Sequence, residues 1–326
     1  MRFGAVPLDQ ALGTILAHAT GPLKKGAVLG ADEIAILRDL QVAGVIAARL
    51  DPTEVSEDEA ATRVALALVP DPVAQGLYLG DAATGRVNVY ASGPGLLRLQ
   101  VAAIHAVNAV HPMITLATLP PLARVTARAM VATVKIIAYG VPGADVATAA
   151  EVGRAAMSLA QPGFSTATLI ETATDGTLPG IKGRDALRLR LSRMGLTLSE
   201  RIVVPHEAGA VAEAISKAPG QIVLILTASA TSDPRDVGPE GVRMAGGRIT
   251  RFGMPVDPGN LLFFGSLGAR PVIGLPGCAR SPALNGADWV LERLICGVEV
   301  TAQDVAAMGV GGLLKEIPSR PRLRDP

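Results

Sequence analysis

An unbroken apolar run in the C-terminal half limits the folds that are open to this chain. Residues 222–226 read Ile-Val-Leu-Ile-Leu, and small and hydroxyl residues follow them up to Asp233-Pro234-Arg235-Asp236. A strand that is apolar on both faces belongs in the centre of a parallel sheet that is covered on both sides. Ligands bind such sheets in the crevice at the carboxyl ends of the strands. The run therefore predicts an open α/β sheet with a binding site in the loop after residue 226.

Segments with strand and helix patterns alternate on both sides of this run. Short apolar and β-branched runs predict further strands at 166–171, 202–204, 249–252, 261–264 and 272–275. Apolar residues at helical spacing predict helices at 183–194, 208–217, 239–245 and 282–295. Alternation of this kind favours right-handed crossovers between parallel strands. We therefore expect an α/β fold with a three-layer α/β/α sandwich at the C-terminus, preceded by α+β modules.

The chain before residue 164 changes in pattern and composition. We expect a small mixed α/β module over 1–69, because helical spacing at 9–18, 32–40 and 57–68 alternates with short apolar runs. Residues 70–145 are richer in Pro, Gly, Val and Thr, and they predict a strand-rich α+β domain in which the apolar residues 101–110 form a buried helix. The remaining predicted segments are a connector helix over 146–163, the α/β domain over 164–300 and a tail over 301–326, which becomes rich in Arg and Pro from residue 318.

Charge and hydropathy exclude several classes of partner. The formal net charge of +1 and the aromatic content of 3% provide neither a basic footprint nor stacking platforms for nucleic acid. Apolar runs end well short of the ~20 residues that span a bilayer, and the first residues lack a signal-peptide pattern. The two cysteines, Cys278 and Cys296, are too few for a disulfide scaffold, which fits a reducing compartment. We expect a soluble cytoplasmic protein.

Three motifs occur in order at the predicted crevice. The first combines the loop Ser229–Ser232 with Arg235-Asp236 and Pro239-Glu240, the second is Asp257-Pro258-Gly259-Asn260, and the third is Leu-Pro-Gly-Cys-Ala-Arg-Ser at 275–281. Together they resemble the molybdopterin-binding domain of molybdopterin adenylyltransferases and molybdopterin molybdotransferases. The resemblance covers roughly residues 164–297. It implies that molybdopterin or the molybdenum cofactor is the ligand.

The departures from the family pattern affect which of the family's activities we expect. Serine and alanine replace the glycines of the first loop, so its backbone has less conformational freedom. Asp257 and Asn260 stand where the family has basic residues, which predicts weaker phosphate binding because charge-assisted contacts are the strong ones. His206 occupies a position that is usually aspartate, with Glu207 beside it. These changes favour pterin binding over adenylyl transfer or metal insertion.

Asp236 is the leading candidate in the first loop, and each candidate has an alternative structural role. Asp236 is expected either to orient a metal or the cofactor's terminal group, or to cap the helix that follows it. Glu207 and His206 form a possible acid–base pair, or they simply begin a helix. The expected ligand contacts from the loops after the strands at 166–171 and 222–226 are Asp175, Thr227, Ser229, Thr231 and Asp233, although Asp175 and Asp233 also suit turn-forming roles.

The two later turns supply the remaining candidates. Gly259 and Asn260 belong to the second motif, and Pro276, Gly277 and Ser281 belong to the third, which we place at the start of the last helix, where free N–H groups attract an anion. Arg280 would replace the lost positive charge or face solvent. Cys278 is either a ligand for a soft metal or a packed thiol.

The resemblance implies several functions between which the residues do not choose. The chain would bind the pterin at the strand ends and assist metal insertion or hand the cofactor to a nucleotidyltransferase. As an adenylyl- or molybdenum-transferring enzyme, it would use Asp236 and Glu207 to position Mg²⁺. The alternatives are a non-catalytic carrier or chaperone, and a scaffold with a degenerate pocket. Implied partners are a molybdenum cofactor nucleotidyltransferase, a molybdoenzyme, and further copies of the chain in a homo-oligomer.

Overall fold

The protein is a mixed α/β chain that divides into two compact units. The computed structural model describes residues 1–314, so the Arg/Pro-rich end of the predicted tail lies outside the described residues. One unit comprises Met1–Gly93 with Leu97–Leu159, and the other comprises Pro94–Leu96 with the chain from Ala160 onward. Within residues 1–314, no helix is both long enough and apolar enough to cross a membrane.

The chain up to residue 160 contains short strands and helices in several sheets. In chain order they are β1 (Arg2–Pro7), β2 (Ile15–Leu16), α1 (Ala31–Asp39), β3 (Gly44–Arg49), β4 (Glu54–Ser56), α2 (Glu57–Leu68), α3 (Pro72–Gln75), β5 (Leu77–Leu79), β6 (Arg86–Ala91), β7 (Gly95–Leu99), α4 (Val101–Val110), β8 (Ile114–Thr118), β9 (Arg124–Val125), β10 (Met130–Ile136), β11 (Gly140–Pro142), α5 (Gly143–Val152) and β12 (Met157–Ala160). The sheets have the orders β1-β3-β2, β5-β6-β10-β8, β11-β4 and β12-β7-β9.

The core of the first unit forms where helices α2 and α4 pack against the four-stranded sheet, and α5 packs against both helices. Burial alternates along β6, so that Val87 and Val89 face the core while their neighbours do not. Val64 and Leu68 of α2 are fully buried in the same cluster. The helices predicted at 57–68 and 101–110 are confirmed as α2 and α4.

Two helices predicted in this part of the chain are wrong in extent. Residues 9–18 form a 3₁₀ turn at Leu8–Gln10 and then strand β2, because Leu16 N–H donates to the Ala27 carbonyl instead of to a helical partner. The connector helix expected over 146–163 ends at Val152 as part of α5, and residues 157–160 form β12. Ala155 has φ +52°, which turns the chain out of the helix despite its alanine-rich sequence.

The second unit contains one large mixed sheet and its helices. In chain order they are β13 (Thr166–Ala173), α6 (Lys182–Arg193), β14 (Thr197–Leu198), β15 (Ile202–Pro205), α7 (Ala208–Lys217), β16 (Ile222–Leu226), α8 (Val237–Met244), β17 (Arg248–Phe252), β18 (Phe263–Leu267), β19 (Arg270–Gly274), α9 (Gly286–Ile295) and α10 (Ala302–Ala306). The sheet order is β14-β13-β16-β19-β18-β17, and β15 also pairs with β13.

Strand β16 occupies an interior position, as its apolar run predicts. It pairs in parallel with β13 on one side and with β19 on the other, and all five of its residues are buried. Its Val223 and Ile225 belong to a buried cluster with Val211 and Ile215 of α7 and with Val242 of α8. The complete three-layer arrangement remains a prediction.

The last long helix begins later than its periodicity predicts. Helix α9 starts at Gly286, and residues 277–280 form a separate 3₁₀ turn. Asn285 caps the helix, because its Oδ1 accepts Ala287 N–H at 3.0 Å while Asp288 Oδ2 accepts Asn285 N–H at 2.9 Å. The prediction that the third motif lies at the N-terminus of this helix is therefore wrong, because α9 begins five residues after the motif ends.

Candidate functional site

The carboxyl ends of β13 and β16 meet at the Thr172 hydroxyl. Thr172 Oγ1 accepts the backbone N–H of Ala228 at 2.7 Å and lies 2.9 Å from His206 Nδ1. Because β13, β15 and β16 are parallel, the loops that follow them leave the same edge of the sheet. The Thr172 side chain thus connects the loops after three strands at the place where α/β sheets bind ligands.

Hydroxyl groups shape the loop after β16 from within. Thr227 Oγ1 donates to the Ser229 carbonyl at 2.7 Å and lies 3.1 Å from Thr231 Oγ1. Thr227 and Thr231 are buried, whereas Ser229 is exposed. The two threonines therefore fix the loop, and Ser229 is the predicted contact that remains open to a ligand.

Both aspartates of this loop accept backbone N–H groups. Asp236 caps α8 through Oδ1, which accepts Val237 N–H at 2.8 Å, and its Oδ2 lies 3.2 Å from Ser232 N. Asp233 Oδ1 accepts Arg235 N–H at 2.8 Å, which is the turn-forming role that the sequence offers as an alternative. This hydrogen bond from Arg235 N–H lowers the pKa of Asp233 below its ordinary value.

Arg280 joins the third motif to the loop after β16. Its Nη2 donates to the Thr227 carbonyl at 2.8 Å, so this half-buried guanidinium does not simply face solvent. In the same turn, the Pro276 carbonyl accepts Ala279 N–H at 2.9 Å, and Ser281 Oγ lies 3.3 Å from Ala283 N. The first and third motifs are therefore held together at one edge of the sheet.

An open cleft of about 620 Å³ lies between the third motif and the start of α6. Gly277, Arg280 and Ser281 line one side, and Lys182 and Gly183 line the other. A Cβ atom at Gly183 would lie 3.2 Å from Arg280 Cγ, so glycine permits the close approach of α6 to this turn. Lys182 is exposed at the cleft and provides a cation that lies outside the three motifs.

The second motif reaches the third through the cap of α9. The Pro258 carbonyl accepts Gly286 N–H at 2.8 Å, and a Cβ atom at Gly259 would lie 2.9 Å from Gly286 N. Asn285, which precedes Gly286, donates from Nδ2 to Cys278 Sγ at 3.0 Å. Gly259 is buried in this contact. Asn260 is exposed, and its backbone pairs with Met254.

The remaining acidic candidates lie at the periphery of this edge. Asp175 is exposed, and its Oδ1 accepts Thr177 N–H at 3.0 Å, which lowers its pKa. Glu207 is the exposed residue before α7, adjacent to His206. Across residues 1–314, no group of three or more His, Cys, Asp or Glu side chains is arranged to hold a metal ion.

Helix α6 contributes more to the site than its sequence pattern indicates. Arg190, on α6, donates to the carbonyls of Ala279, Ser281 and Ala283 and pairs with Asp288. The apolar spacing of α6 predicts the helix but does not reveal this contact.

Comparisons with known proteins find similarity only among solved structures. No family model matches the chain, and no curated protein matches it. The structure of a molybdenum cofactor biosynthesis protein B is 14% identical, with 42% of this chain and 96% of that chain covered and a TM-score of 0.31.

Two archaeal structures align over a longer part of the chain. The molybdopterin biosynthesis MoeA protein from Pyrococcus horikosii is 15% identical, with 92% of this chain and 76% of that chain covered and a TM-score of 0.29. A molybdenum cofactor biosynthesis protein from Pyrococcus furiosus is 12% identical, with 94% and 65% covered and a TM-score of 0.25. These neighbours are molybdenum cofactor biosynthesis proteins, the group that the three sequence motifs resemble. TM-scores this low do not establish a shared fold.

Proposed function

We propose that this protein binds molybdopterin or the molybdenum cofactor at the strand-end edge of its second unit and acts in the biosynthesis of that cofactor. The observation that carries the proposal is the convergence of the three motifs. Arg280 bonds the third motif to the loop after β16. Asn285 bonds to Cys278 of the third motif, and the next residue, Gly286, bonds to Pro258 of the second motif. Motifs that are separated by up to fifty residues of sequence therefore surround one edge of the sheet.

The cleft combines a mostly apolar surface with a few polar groups. Lys182 and Arg280 bring two cations to it, and Ser281 adds a hydroxyl group. The two basic residues that are missing from the second motif are thereby offset by two cations from other elements. Charge-assisted hydrogen bonds from lysine and arginine are strong contacts for a phosphate group. In this proposal, the cleft receives the phosphate of the pterin.

Carboxylate geometry favours hand-over of the cofactor over metal-dependent transfer. Mg²⁺ binds through one or two carboxylates together with substrate phosphates, and Asp236 is the carboxylate of the first motif. Both Asp236 oxygens already interact with backbone N–H groups, at 2.8 and 3.2 Å. We therefore place a carrier that passes the cofactor to a nucleotidyltransferase first, and a transferase in which Asp236 orients Mg²⁺ second.

Titration with molybdopterin, followed by pterin fluorescence, tests the binding proposal. We expect saturable binding by the wild type and weaker binding by Ser281→Ala. Glu213→Ala, on the exposed face of α7, is the matched control and should bind like the wild type. Absence of binding by the wild type would contradict the proposal.

Two substitutions at Asp236 separate the carrier from the transferase. Asp236→Asn keeps an oxygen that can cap α8, whereas Asp236→Ala removes the cap at a cost of about 1 kcal/mol. A carrier with Asp236→Asn should bind pterin like the wild type. If Asp236→Asn retains binding but abolishes Mg²⁺- and molybdate- or ATP-dependent turnover that the wild type shows, the transferase is correct.

A further inference from the structure

The side chain of Arg190 is buried beneath the third motif and makes an unusual set of contacts. It is 8% exposed and forms an ion pair with Asp288, which is 9% exposed. Its Nη1 donates to the Ala279 carbonyl at 2.9 Å, and its Nη2 donates to the carbonyls of Ser281 and Ala283 at 2.7 and 2.9 Å. One guanidinium therefore ties three alternate carbonyls of one loop to the body of α6.

These contacts determine which backbone groups of the turn face the cleft. The carbonyls of Ala279 and Ser281 are turned toward Arg190, while Gly277 and Ser281 line the cleft. Carbonyl oxygens that turned into the cleft would repel an anionic ligand. A planar guanidinium with several fixed donors can hold such a set of carbonyls, whereas a lysine ammonium cannot reproduce the fork.

The same ion pair reaches the cap of α9. Asp288 uses Oδ1 for Arg190 and Oδ2 for Asn285 N–H, and Asn285 Nδ2 donates to Cys278 Sγ. The turn is thus held from two sides by one network that begins at Arg190. Neither the three motifs nor the predicted ligand contacts include this residue.

We propose that Arg190 is a positioning residue that holds the 276–283 loop in the conformation that admits the ligand. The inference rests on the proposed function, because the ligand of the cleft is the pterin assigned there. The shape of the turn is nevertheless measurable without any ligand. Exposed Cys278 lies in the turn and reports its conformation, whereas Cys296 is buried.

The test compares Arg190→Lys with the wild type and with Arg188→Ala. Arg190→Lys keeps a cation for Asp288 and so protects the fold, but it cannot hold three carbonyls. Arg188 lies on the same helix, is exposed and pairs with Asp185, which makes Arg188→Ala a matched control. Two quantities are measured. One is the rate at which the thiol reagent dithionitrobenzoate modifies Cys278, identified by its loss in Cys278→Ser, and the other is the Kd for molybdopterin, obtained by pterin fluorescence.

We expect Arg190→Lys to change the Cys278 modification rate about tenfold and to weaken molybdopterin binding about tenfold, as loss of charge-assisted hydrogen bonds implies. Arg188→Ala should leave both unchanged. In Arg190→Ala, added methylguanidinium should restore the wild-type rate of Cys278 modification. A general loss of stability would not be reversed in this way. The melting temperature of each variant is recorded as a check on folding.

The outcomes separate this inference from the proposed function. If the Cys278 rate of Arg190→Lys equals that of the wild type, or if it changes while molybdopterin affinity does not, the positioning role is overturned. If the wild type itself does not bind molybdopterin, the proposed function fails, and the assignment of Arg190 to a ligand site fails with it, whatever the thiol rates show.

Discussion

At the scale of single residues, the candidate site has one cation outside the sequence motifs and one inside the third motif. Lys182 begins α6. Arg280 lies inside the third motif, and its Nη2 already donates to the Thr227 carbonyl. Lys182 is therefore the more available of the two cations for an anionic ligand.

Substitution of Lys182 should weaken ligand binding without loss of stability. A charge-assisted hydrogen bond contributes about 1.5–3 kcal/mol, so Lys182→Ala should raise the Kd for molybdopterin about ten- to a hundredfold. The exposed side chain makes little contribution to the fold, and the melting temperature should not change. Lys217→Ala, at an exposed lysine of α7 paired with Glu213, is the control. An unchanged Kd for Lys182→Ala would exclude Lys182 from the site.

The loop after β16 should lose order in acid because of Asp233. The Arg235 N–H bond lowers the pKa of Asp233 below its ordinary value of 3.8 in the folded protein. The stabilisation by this carboxylate is therefore present above the ordinary value and is lost as the pH falls through the lowered pKa. An NMR titration of the Asp233 carboxyl carbon measures this pKa, and Asp233→Asn provides the reference in which the Arg235 amide shift loses its dependence on Asp233. A midpoint above 3.8 would contradict the prediction.

The N-cap role of Asp236 could be predicted from the sequence, because it depends only on neighbouring residues. An aspartate before a helical pattern predicts an N-cap, and the Val237 N–H bond is that cap. The partner of Arg280 was not predictable, because Thr227 lies 53 residues away in sequence and only the parallel pairing of β16 and β19 brings the two loops together.

At the scale of secondary-structure elements, the sheet of the second unit depends on a close contact between β18 and β19. Gly274 ends β19 and pairs with Phe263 of β18, whose ring is 1% exposed. A Cβ atom at Gly274 would lie 1.9 Å from Phe263 Cε1. The aromatic side chain thus occupies the space that any other residue at 274 would need.

Gly274→Ala should destabilise the second unit by roughly 1–3 kcal/mol or more, because the buried ring has to move. Phe263→Leu in the same chain removes the clash, so the double variant should be more stable than the sum of the two single changes predicts. Gly180→Ala, where a Cβ atom meets nothing within 4 Å, controls for the loss of a glycine. Urea unfolding measures the wild type and the four variants, and strict additivity of Gly274→Ala and Phe263→Leu would contradict the contact.

The elements also show where pattern reading succeeds and fails. The boundaries of β16, α2 and α4 agree with their predicted ranges, since each prediction follows an apolar pattern that stops where the element ends. The start of α9 is predicted four residues early, because the helical pattern of apolar residues continues through 282–285. The capping box at Asn285 sets the actual N-terminus at Gly286.

At the scale of the whole molecule, every residue that is proposed to contact ligand belongs to the second unit. The first unit has its own buried cluster, in which Leu68 is fully buried. The second has the cluster around Val223, next to which Leu224 is also fully buried. Separate cores of this kind allow separate unfolding transitions.

Ligand should therefore stabilise one transition only. At a hundredfold excess over Kd, molybdopterin should stabilise the second unit by about 2.7 kcal/mol. Leu68→Ala should lower the other transition, and Leu224→Ala the ligand-sensitive one, each by about 2–5 kcal/mol. Calorimetry with and without ligand measures the shifts. The assignment of the site to the second unit is wrong if ligand raises the transition that Leu68→Ala lowers.

The sequence by itself determined the features that depend on neighbouring residues. The apolar run of β16 predicted a buried parallel strand with a site at its end, and the three motifs indicated which loops would form that site. Hydrophobic period and capping chemistry act over a few residues, so they can be read without the fold.

Only the tertiary structure decided which elements complete the site. Arg190 and Lys182 lie on a helix whose pattern says nothing of the third motif, about ninety residues further along the chain. Residues 9–18 likewise do not form the helix that their pattern predicts, because hydrogen bonds to residues 27–29 satisfy their backbone groups. The reason is the same in each case: a long-range contact is made by groups that are distant in sequence, and local propensity is too weak to oppose it.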